Sequence, residues 1–142
     1  MVIFLDKSLK NEIIRTIAAA EKITSGEIRV HIQSKCKEDV LSEAKKVFHR
    51  LKMHKTKERN GVLIFIALKS KRFAILGDFS IHEKVGNNFW NEVSDKMTEQ
   101  FKKDQIKEGI LVGIMSVGEK LKIHFSRKSD DKNELSNEIS QE

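Results

Sequence analysis

The chain has 142 residues, which suits one domain with a moderate hydrophobic core. Its hydrophobic fraction is 39%, but the apolar residues gather in periodic blocks, which indicates a globular chain rather than a disordered one. No apolar run approaches the roughly 20 residues that span a bilayer, and the first residues do not form a signal peptide, so we expect a cytoplasmic protein. Cys36 is the only cysteine, which excludes an internal disulfide.

The net charge of +6 is unevenly distributed. Residues 126–142 carry three basic and five acidic side chains, so residues 1–125 carry a net charge of about +8. Lys and Arg are densest between Lys45 and Arg59, where a positive field would attract anions. A solvated helix face explains this segment more simply. Nucleic-acid binding through it has the least support, because the chain has no Tyr and no recognisable binding motif.

Hydrophobic periodicity predicts a helix and then a strand at the start of the chain. Apolar residues recur at helical spacing from Asp6 to Ile23, with Asp6 or Ser8 available as the N-cap. Residues 27–33 then alternate between apolar and polar side chains, and His31 lies on the polar side. This pattern predicts a strand with one polar face, which we place at an edge of the sheet.

A second helix and a β-hairpin follow. Apolar residues at helical spacing predict a helix over residues 40–51, and Asp39 precedes it where a carboxylate complements the helix dipole. The uninterrupted apolar run over residues 61–67 predicts a short, buried central strand. Residues 72–76 are also rich in β-forming side chains, and they predict its antiparallel hairpin partner.

Two further helices are predicted over residues 88–102 and 105–124. The order strand, helix, strand requires a right-handed crossover between parallel strands 1 and 2, and the hairpin adds strand 3 in the antiparallel direction. We therefore predict an α/β fold, a three-layer α/β/α sandwich around a small mixed sheet with about four helices. A single domain is expected over residues 1–125, followed by a polar, flexible tail over residues 126–142.

The predicted topology brings separate turns together at one end of the sheet. Strands 1 and 2 start there and strand 3 ends there, so Glu27, Asn60 and Asp78 gather from three chain segments. Their carboxylate and amide oxygens, with backbone oxygens from a loop over residues 79–83, are the ligands that calcium or magnesium requires. The alternative is that Asp78 and Asn60 only close turns. The opposite end of the sheet is a rival location, since ligands of open α/β folds often lie there.

Two more pairs of side chains complete the candidate site. His82 and Glu83 follow the Asp78 turn, and the imidazole of His82 would suit a transition metal or a general acid. A solvent-facing histidine is the simpler interpretation. Arg59 and Arg72 are candidate anion-binding residues, which would offset the charge of a phosphoryl group.

Several short motifs occur together in this chain: TSGEIRV at residues 24–30, RNGVLI at 59–64, RFAI at 72–75 and then Gly77-Asp78. With Phe101 and Gly109-Ile110 they resemble the TPM domain family, which includes a thylakoid-lumen acid phosphatase and proteins of photosystem II repair. The resemblance covers about residues 5–125. It implies an α/β/α sandwich around a small mixed sheet and, for some members, calcium binding and phosphatase activity. The family-like positions are Asn60, Gly61, Arg72, Gly77 and Asp78.

Three functions are compatible with these patterns. The first is a non-catalytic domain that binds a divalent metal ion or a protein partner. The ion is calcium by the resemblance, with magnesium and zinc as alternatives. The second is a metal-dependent phosphomonoester hydrolase, for which the sequence identifies no catalytic base. The third is weak nucleic-acid binding through the basic second helix. We expect a monomer.

Overall fold

The computed structural model describes residues 6–86, 88–126, 137 and 139–141. Within these residues the chain forms five α-helices and four strands, with a 3₁₀ turn at Met53–Lys55. The elements follow one another in this order: α1 Lys7–Glu21, β1 Glu27–Gln33, α2 Val40–Arg50, β2 Gly61–Ala67, β3 Arg72–Gly77, α3 Phe79–Val85, α4 Asn91–Lys102, α5 Ile106–His124 and β4 Ser140–Gln141.

The strands form one mixed sheet in the order β3-β2-β1-β4. β1 and β2 are parallel, with Glu27 opposite Gly61, and β3 runs antiparallel to β2, with Gly77 opposite Val62. The predicted parallel pairing of β1 with β2 and the hairpin are therefore confirmed. β2 is buried along its whole length because it has a strand on either side and helices on both faces.

Each face of the sheet has its own hydrophobic core. Alternate residues of β1 and β2, such as Val30 and Ile64, pack with α1, α4 and α5. The intervening residues of β2, such as Leu63 and Phe65, pack with α2 on the opposite face. The molecule therefore has the predicted three-layer α/β/α architecture.

β1 differs from its prediction in two respects. It is not an edge strand along its whole length, because β4 pairs with it in parallel, with His31 opposite Ser140. Its polar face is also covered. His31 is fully buried, stacks on Phe65 with ring centres 5.5 Å apart, and forms hydrogen bonds with Ser140 and Gln33. Alternation separates the two faces of a strand, but it does not reveal that a polar face packs against neighbouring strands.

α3 lies where the sequence predicts a loop over residues 79–83, so that prediction is wrong. The helix begins because Asp78 is its N-cap and accepts a hydrogen bond from the amide of Phe79. It ends at Gly86, whose φ of 75° is favourable only without a side chain. Only Ile81 is buried along its seven residues, so α3 has no apolar stripe by which a sequence pattern would reveal it.

The other helices follow the predicted segments closely. α1 begins at its predicted N-cap, where a carboxylate oxygen of Asp6 accepts a hydrogen bond from the amide of Leu9 at 2.7 Å. α4 begins at Asn91, three residues later than predicted, because residues 88–90 form a turn. α5 covers the predicted segment after Gln105, which is its N-cap.

Most of the predicted tail, residues 127–136, 138 and 142, lies outside the described residues, as do residues 1–5 and 87. Of the tail residues that are described, Ser140 and Gln141 form β4, and Ile139 packs against the core of the α1 face. Among the helices of the described segments, none has both the length and the apolar character needed to cross a bilayer.

Gly118 lets α5 approach α1 closely. A Cβ atom added at Gly118 would lie 2.8 Å from the Cβ of Ala20 and 3.3 Å from its Cα. A Cβ atom added at Gly113, on the same helix, would instead lie 2.7 Å from the thioether sulfur of Met97. A thioether can move aside, whereas the backbone of α1 cannot, so the two positions differ in their tolerance.

We predict that Gly118→Ala lowers the free energy of unfolding by about 1–2 kcal/mol, because the overlap with α1 outweighs the gain of about 1 kcal/mol in helix propensity. Gly113→Ala is the matched control, since it brings the same propensity gain on the same helix. Urea unfolding of both variants measures the difference. A loss at Gly113→Ala equal to or larger than that at Gly118→Ala would contradict this account of the packing.

The buried His31 also predicts a pH dependence of stability. Burial, the largest cause, lowers the pKa of His31 below its ordinary value, and Arg50 and Arg29 lower it further, against the hydrogen bond with Gln33. The unfolded chain therefore takes up a proton at a higher pH than the folded chain. The stability is fully present above about pH 6.5 and falls as the pH decreases towards the lower folded pKa. Between about pH 7.5 and 5, the free energy of unfolding measured in urea should fall less in His31→Asn than in the unaltered chain. The exposed His82→Asn control should keep the full slope.

Candidate functional site

Six of the eight buried polar or charged residues that the structure describes lie at one end of the sheet. We call this end the rim, and it comprises residues 21–27, 56–61 and 77–80. Burial of polar groups is unfavourable unless they are hydrogen-bonded, so such a concentration requires a cause. The rim is therefore the candidate site. Its buried polar residues are Glu21, Thr24, Glu27, Thr56, Asn60 and Asp78.

Hydrogen bonds attach the connection between α1 and β1 to the end of α5. Thr24 Oγ1 donates to the backbone oxygen of Phe125, and the amide of Ser25 donates to the same oxygen at 2.8 Å. Glu21 Oε2 accepts from the amide of Ile28 at 2.9 Å. The last turn of α1 and the end of α5 therefore hold the start of β1 in place.

Asn60 joins the segments that precede β1 and β2. Its Nδ2 donates to the backbone oxygen of Ser25 and to Oε2 of Glu58, both at 3.2 Å. Its backbone oxygen accepts from the amide of Glu27 at 3.2 Å. One side chain thus links two loops that are 35 residues apart in the sequence.

Asp78 makes a bidentate ion pair with Arg59. Arg59 Nε lies 2.8 Å from Oδ2 and Nη2 lies 2.9 Å from Oδ1, while Oδ1 also accepts from the amide of Phe79 at 2.7 Å. The hydrogen bond to Asp78 raises the pKa of the Arg59 guanidinium. Bidentate pairs of this kind are directional as well as charged. Both oxygens of the Asp78 carboxylate therefore have donors.

Arg59 lies at the surface above a buried acid. Its side chain is 45% exposed, whereas the side chain of Asp78 is 5% exposed. Its backbone adopts a left-handed conformation, with φ of 52°. The amide of Ser80 donates to the backbone oxygen of Arg59 at 3.1 Å, and Ser80 Oγ donates to that of Glu58 at 2.7 Å. The first turn of α3 therefore holds the loop that carries Arg59.

The structure brings Glu27, Asn60 and Asp78 to the same rim. Glu27 is opposite Gly61, and the amide of Asp78 donates to the backbone oxygen of Gly61 at 2.9 Å from the other side. With strands about 4.8 Å apart, the two acidic residues have backbones on the order of 10 Å apart. Side-chain alternation directs both carboxylates towards the face that α2 covers.

The rim fits a cation only with neutral oxygens as additional ligands. Among the residues that the structure describes, no three His, Cys, Asp or Glu side chains are grouped so that they could hold a metal ion. Thr56 Oγ1 is buried in this segment without a hydrogen-bond partner in the described part of the chain. Hydroxyl, amide and backbone oxygens next to one carboxylate are donors that calcium accepts and that zinc does not prefer.

The structure does not bring His82, Glu83 or Arg72 into a common site with these residues. His82 and Glu83 are exposed on α3, and the backbone oxygen of His82 accepts from the amide of Gly86 at 2.9 Å, as helix geometry requires. Arg72 is opposite Ala67 at the other end of β2, about 20 Å from the rim by strand length. Its guanidinium donates to the backbone oxygen of Glu38 at 3.4 Å.

Sequence reasoning missed three residues that build the rim, namely Glu21, Thr24 and Thr56. Glu21 ends α1 and Thr24 begins the polar stop after it, so both resemble ordinary helix-terminating residues. Thr56 lies within the basic segment and belongs to no apolar pattern. The available signal was position: polar residues that directly precede two parallel strands share one edge of a sheet.

Comparison with protein families now adds to this geometry. A model of the TPM domain matches residues 3–120, which is most of the chain. The chain belongs to the TPM domain family. In this TPM domain the resemblance noted in the sequence is therefore confirmed, and the rim contains its family-like positions Asn60, Gly61, Gly77 and Asp78.

Solved structures are similar to this TPM domain over nearly its whole length. The NMR structure of BA42 protein from the psychrophilic bacterium Bizionia argentinensis is 42% identical, has a TM-score of 0.92, and the match covers 99% of this chain and 97% of that one. The solution NMR structure of the N-terminal domain of a P. gingivalis protein is 15% identical with a TM-score of 0.70, covering 87% and 82% of the two chains. The second likeness shows the fold alone. A comparison with curated proteins finds no match.

We predict that Asp78→Ala lowers the free energy of unfolding by about 1–2 kcal/mol, because α3 loses its N-cap and Arg59 loses its partner. Asp78→Asn should cost less, since an amide oxygen can still accept from the amide of Phe79. Urea unfolding measures both, and hydrogen exchange in residues 79–85 reports whether α3 is loosened. Equal stability of Asp78→Ala and the unaltered chain would show that neither interaction supports the fold.

Proposed function

We propose that this TPM domain is a binding module that takes up a divalent cation at the rim, in exchange for the guanidinium of Arg59. The observation that carries the proposal is the ion pair itself: a buried carboxylate whose positive partner is an exposed side chain. A buried acid requires a countercharge. Here the countercharge is the guanidinium of Arg59, which can move into solvent when a cation takes its place.

The donor chemistry of the rim favours a hard cation. Asp78 would supply the charged ligand, and the oxygens of Asn60, Thr56 and the loop backbone, which belong to the same rim, would supply the neutral ligands. Calcium takes six to eight oxygen ligands in variable geometry, whereas magnesium demands a near-ideal octahedron. Calcium is therefore the favoured ion, which agrees with what the resemblance implies. With few charged ligands, we expect a dissociation constant on the order of 10⁻⁴–10⁻³ M.

Titration of the ¹⁵N-labelled chain with CaCl₂, and separately with MgCl₂, tests the proposal. We expect amide shifts confined to residues 25–28, 56–61 and 77–80, and a stability gain that follows ligand concentration, about 2.7 kcal/mol at 100 times the dissociation constant. Shifts elsewhere, or none with either ion up to about 10 mM, would remove the proposal.

Two variants test the exchange with Arg59. Asp78→Asn removes the charged ligand and should abolish calcium binding. Arg59→Gln removes the competitor and should bind calcium more tightly than the unaltered chain, which a merely structural role of the pair does not predict. Arg72→Gln, at the opposite end of the sheet, is the matched control and should bind as before. Weaker binding by Arg59→Gln would contradict the exchange.

Two other functions can be tested with the same purified chain. An assay on a generic aryl phosphate with Ca²⁺, Mg²⁺, Zn²⁺ or Mn²⁺ tests hydrolysis, and turnover that Asp78→Asn abolishes would make the domain a phosphatase instead of a binding module.

A protein partner is supported by Phe79, which is 61% exposed beside Asp78. Such a partner would cover the rim and should perturb the amide signals of residues 78–80.

A further inference from the structure

Two histidines lie side by side at the end of α2, apart from the rim's acidic residues. His49 belongs to the last turn of α2 and His54 to the 3₁₀ turn that follows. Their ring centres are 4.7 Å apart and their planes are inclined at 51°. The two rings are therefore close and tilted, without a direct hydrogen bond between them.

The backbone between the two residues is tightly folded and anchored. The amide of Lys52 donates to the backbone oxygen of His49 at 3.0 Å, and Lys52 itself is left-handed with φ of 58°. Met53 is completely buried in the α2-side core, which fixes the turn. A non-glycine residue in this conformation is unfavourable and persists only where the surroundings enforce it. The turn therefore holds His54 against His49 at a local cost in free energy.

His54 has a ring nitrogen that the protein does not satisfy. Its Nδ1 is buried and has no hydrogen-bond partner within the described residues. Desolvation lowers the pKa of His54, and the charge of His49 lowers it further. The neutral form of an imidazole is the one that binds a metal ion.

We propose that His49 and His54 form a two-imidazole site for a transition-metal ion of the zinc or nickel type. Two imidazoles on one tetrahedral ion, with metal–nitrogen distances of about 2.0–2.1 Å, have ring centres on the order of 5 Å apart, close to the observed spacing. The two histidines supply half of a tetrahedral set, and water completes it. Neighbouring Lys52 and Lys55 repel any cation, so bonding to the imidazole nitrogens and not net charge holds and selects the ion.

This site differs from the rim in its ligand chemistry, and it does not depend on the proposal made there. Nitrogen ligands favour zinc, nickel and copper, whereas the oxygens of the rim favour calcium. Calcium should not bind at the histidine pair. The two proposals can therefore fail separately.

The test uses the full chain without a histidine tag. Substoichiometric Ni²⁺, which is paramagnetic in octahedral complexes with imidazole and water, should broaden amide signals of residues 47–56 before any others. Zn²⁺ should bind with one ion per chain by calorimetry. His49→Gln and His54→Gln should each weaken Zn²⁺ binding at least tenfold. His124→Gln, which removes an exposed histidine at the end of α5, is the matched control and should leave binding unchanged.

His49 is exposed, so His49→Gln should fold normally, and its metal-free amide spectrum confirms this. Asp78→Asn should still bind one Zn²⁺ per chain through both histidines, which separates this site from the rim. The proposal is overturned if nickel first broadens signals around His82 or His124, if His49→Gln binds zinc with unchanged affinity, or if calcium at equal concentration abolishes zinc binding.

Discussion

The fold depends on the hydrogen bonds that close the rim, because four chain segments end there with polar groups inside the protein. Thr24 attaches the start of β1 to the end of α5, and Asn60 attaches it to the start of β2. The central strand β2 is uniformly apolar and cannot supply such contacts itself. Side chains outside the strands must therefore set where each strand begins. These hydrogen bonds therefore help to fix the start of β1 relative to the start of β2.

The buried carboxylate of Asp78 requires a positively charged partner in addition to hydrogen-bond donors. This carboxylate caps α3 and lies almost completely buried, so the rim requires a positive group as well as donors. Arg59 satisfies that requirement from an exposed position on a left-handed backbone. The folded chain is therefore complete without an added ion. A cation at the rim would have to displace Arg59 from Asp78. Its affinity would therefore reflect the difference between the free energy of its interaction with Asp78 and that of the Arg59 ion pair.

Strong periodic patterns made most of the fold predictable. The alternation of β1, the apolar run of β2 and the hairpin to β3 favour the pairing that places the wholly apolar β2 between the other two strands. α3 could not be found in this way, since Ile81 is its only buried residue, yet Asp78 and Gly86 bracket it as caps do. β4 was also missed, because two polar residues carry no periodicity. The gathering of Glu27, Asn60 and Asp78 followed from topology, whereas the pairing of Asp78 with Arg59 depends on side-chain geometry that no sequence pattern encodes.

The two proposed sites share the face that α2 covers, so their charges interact. Both Arg59 and Asp78 act on the pKa of His54, in opposite directions, and His54 is thus within the field of the rim. If a cation displaced Arg59 from Asp78, the positive charge near His54 would increase, and a second cation at the histidine pair would bind less well. Thermodynamic linkage makes this effect reciprocal. Because the side chains of Arg59 and His49 are exposed, salt would screen this coupling. It should weaken as the Debye length falls from about 30 Å at 0.01 M to about 8 Å at 0.15 M ionic strength.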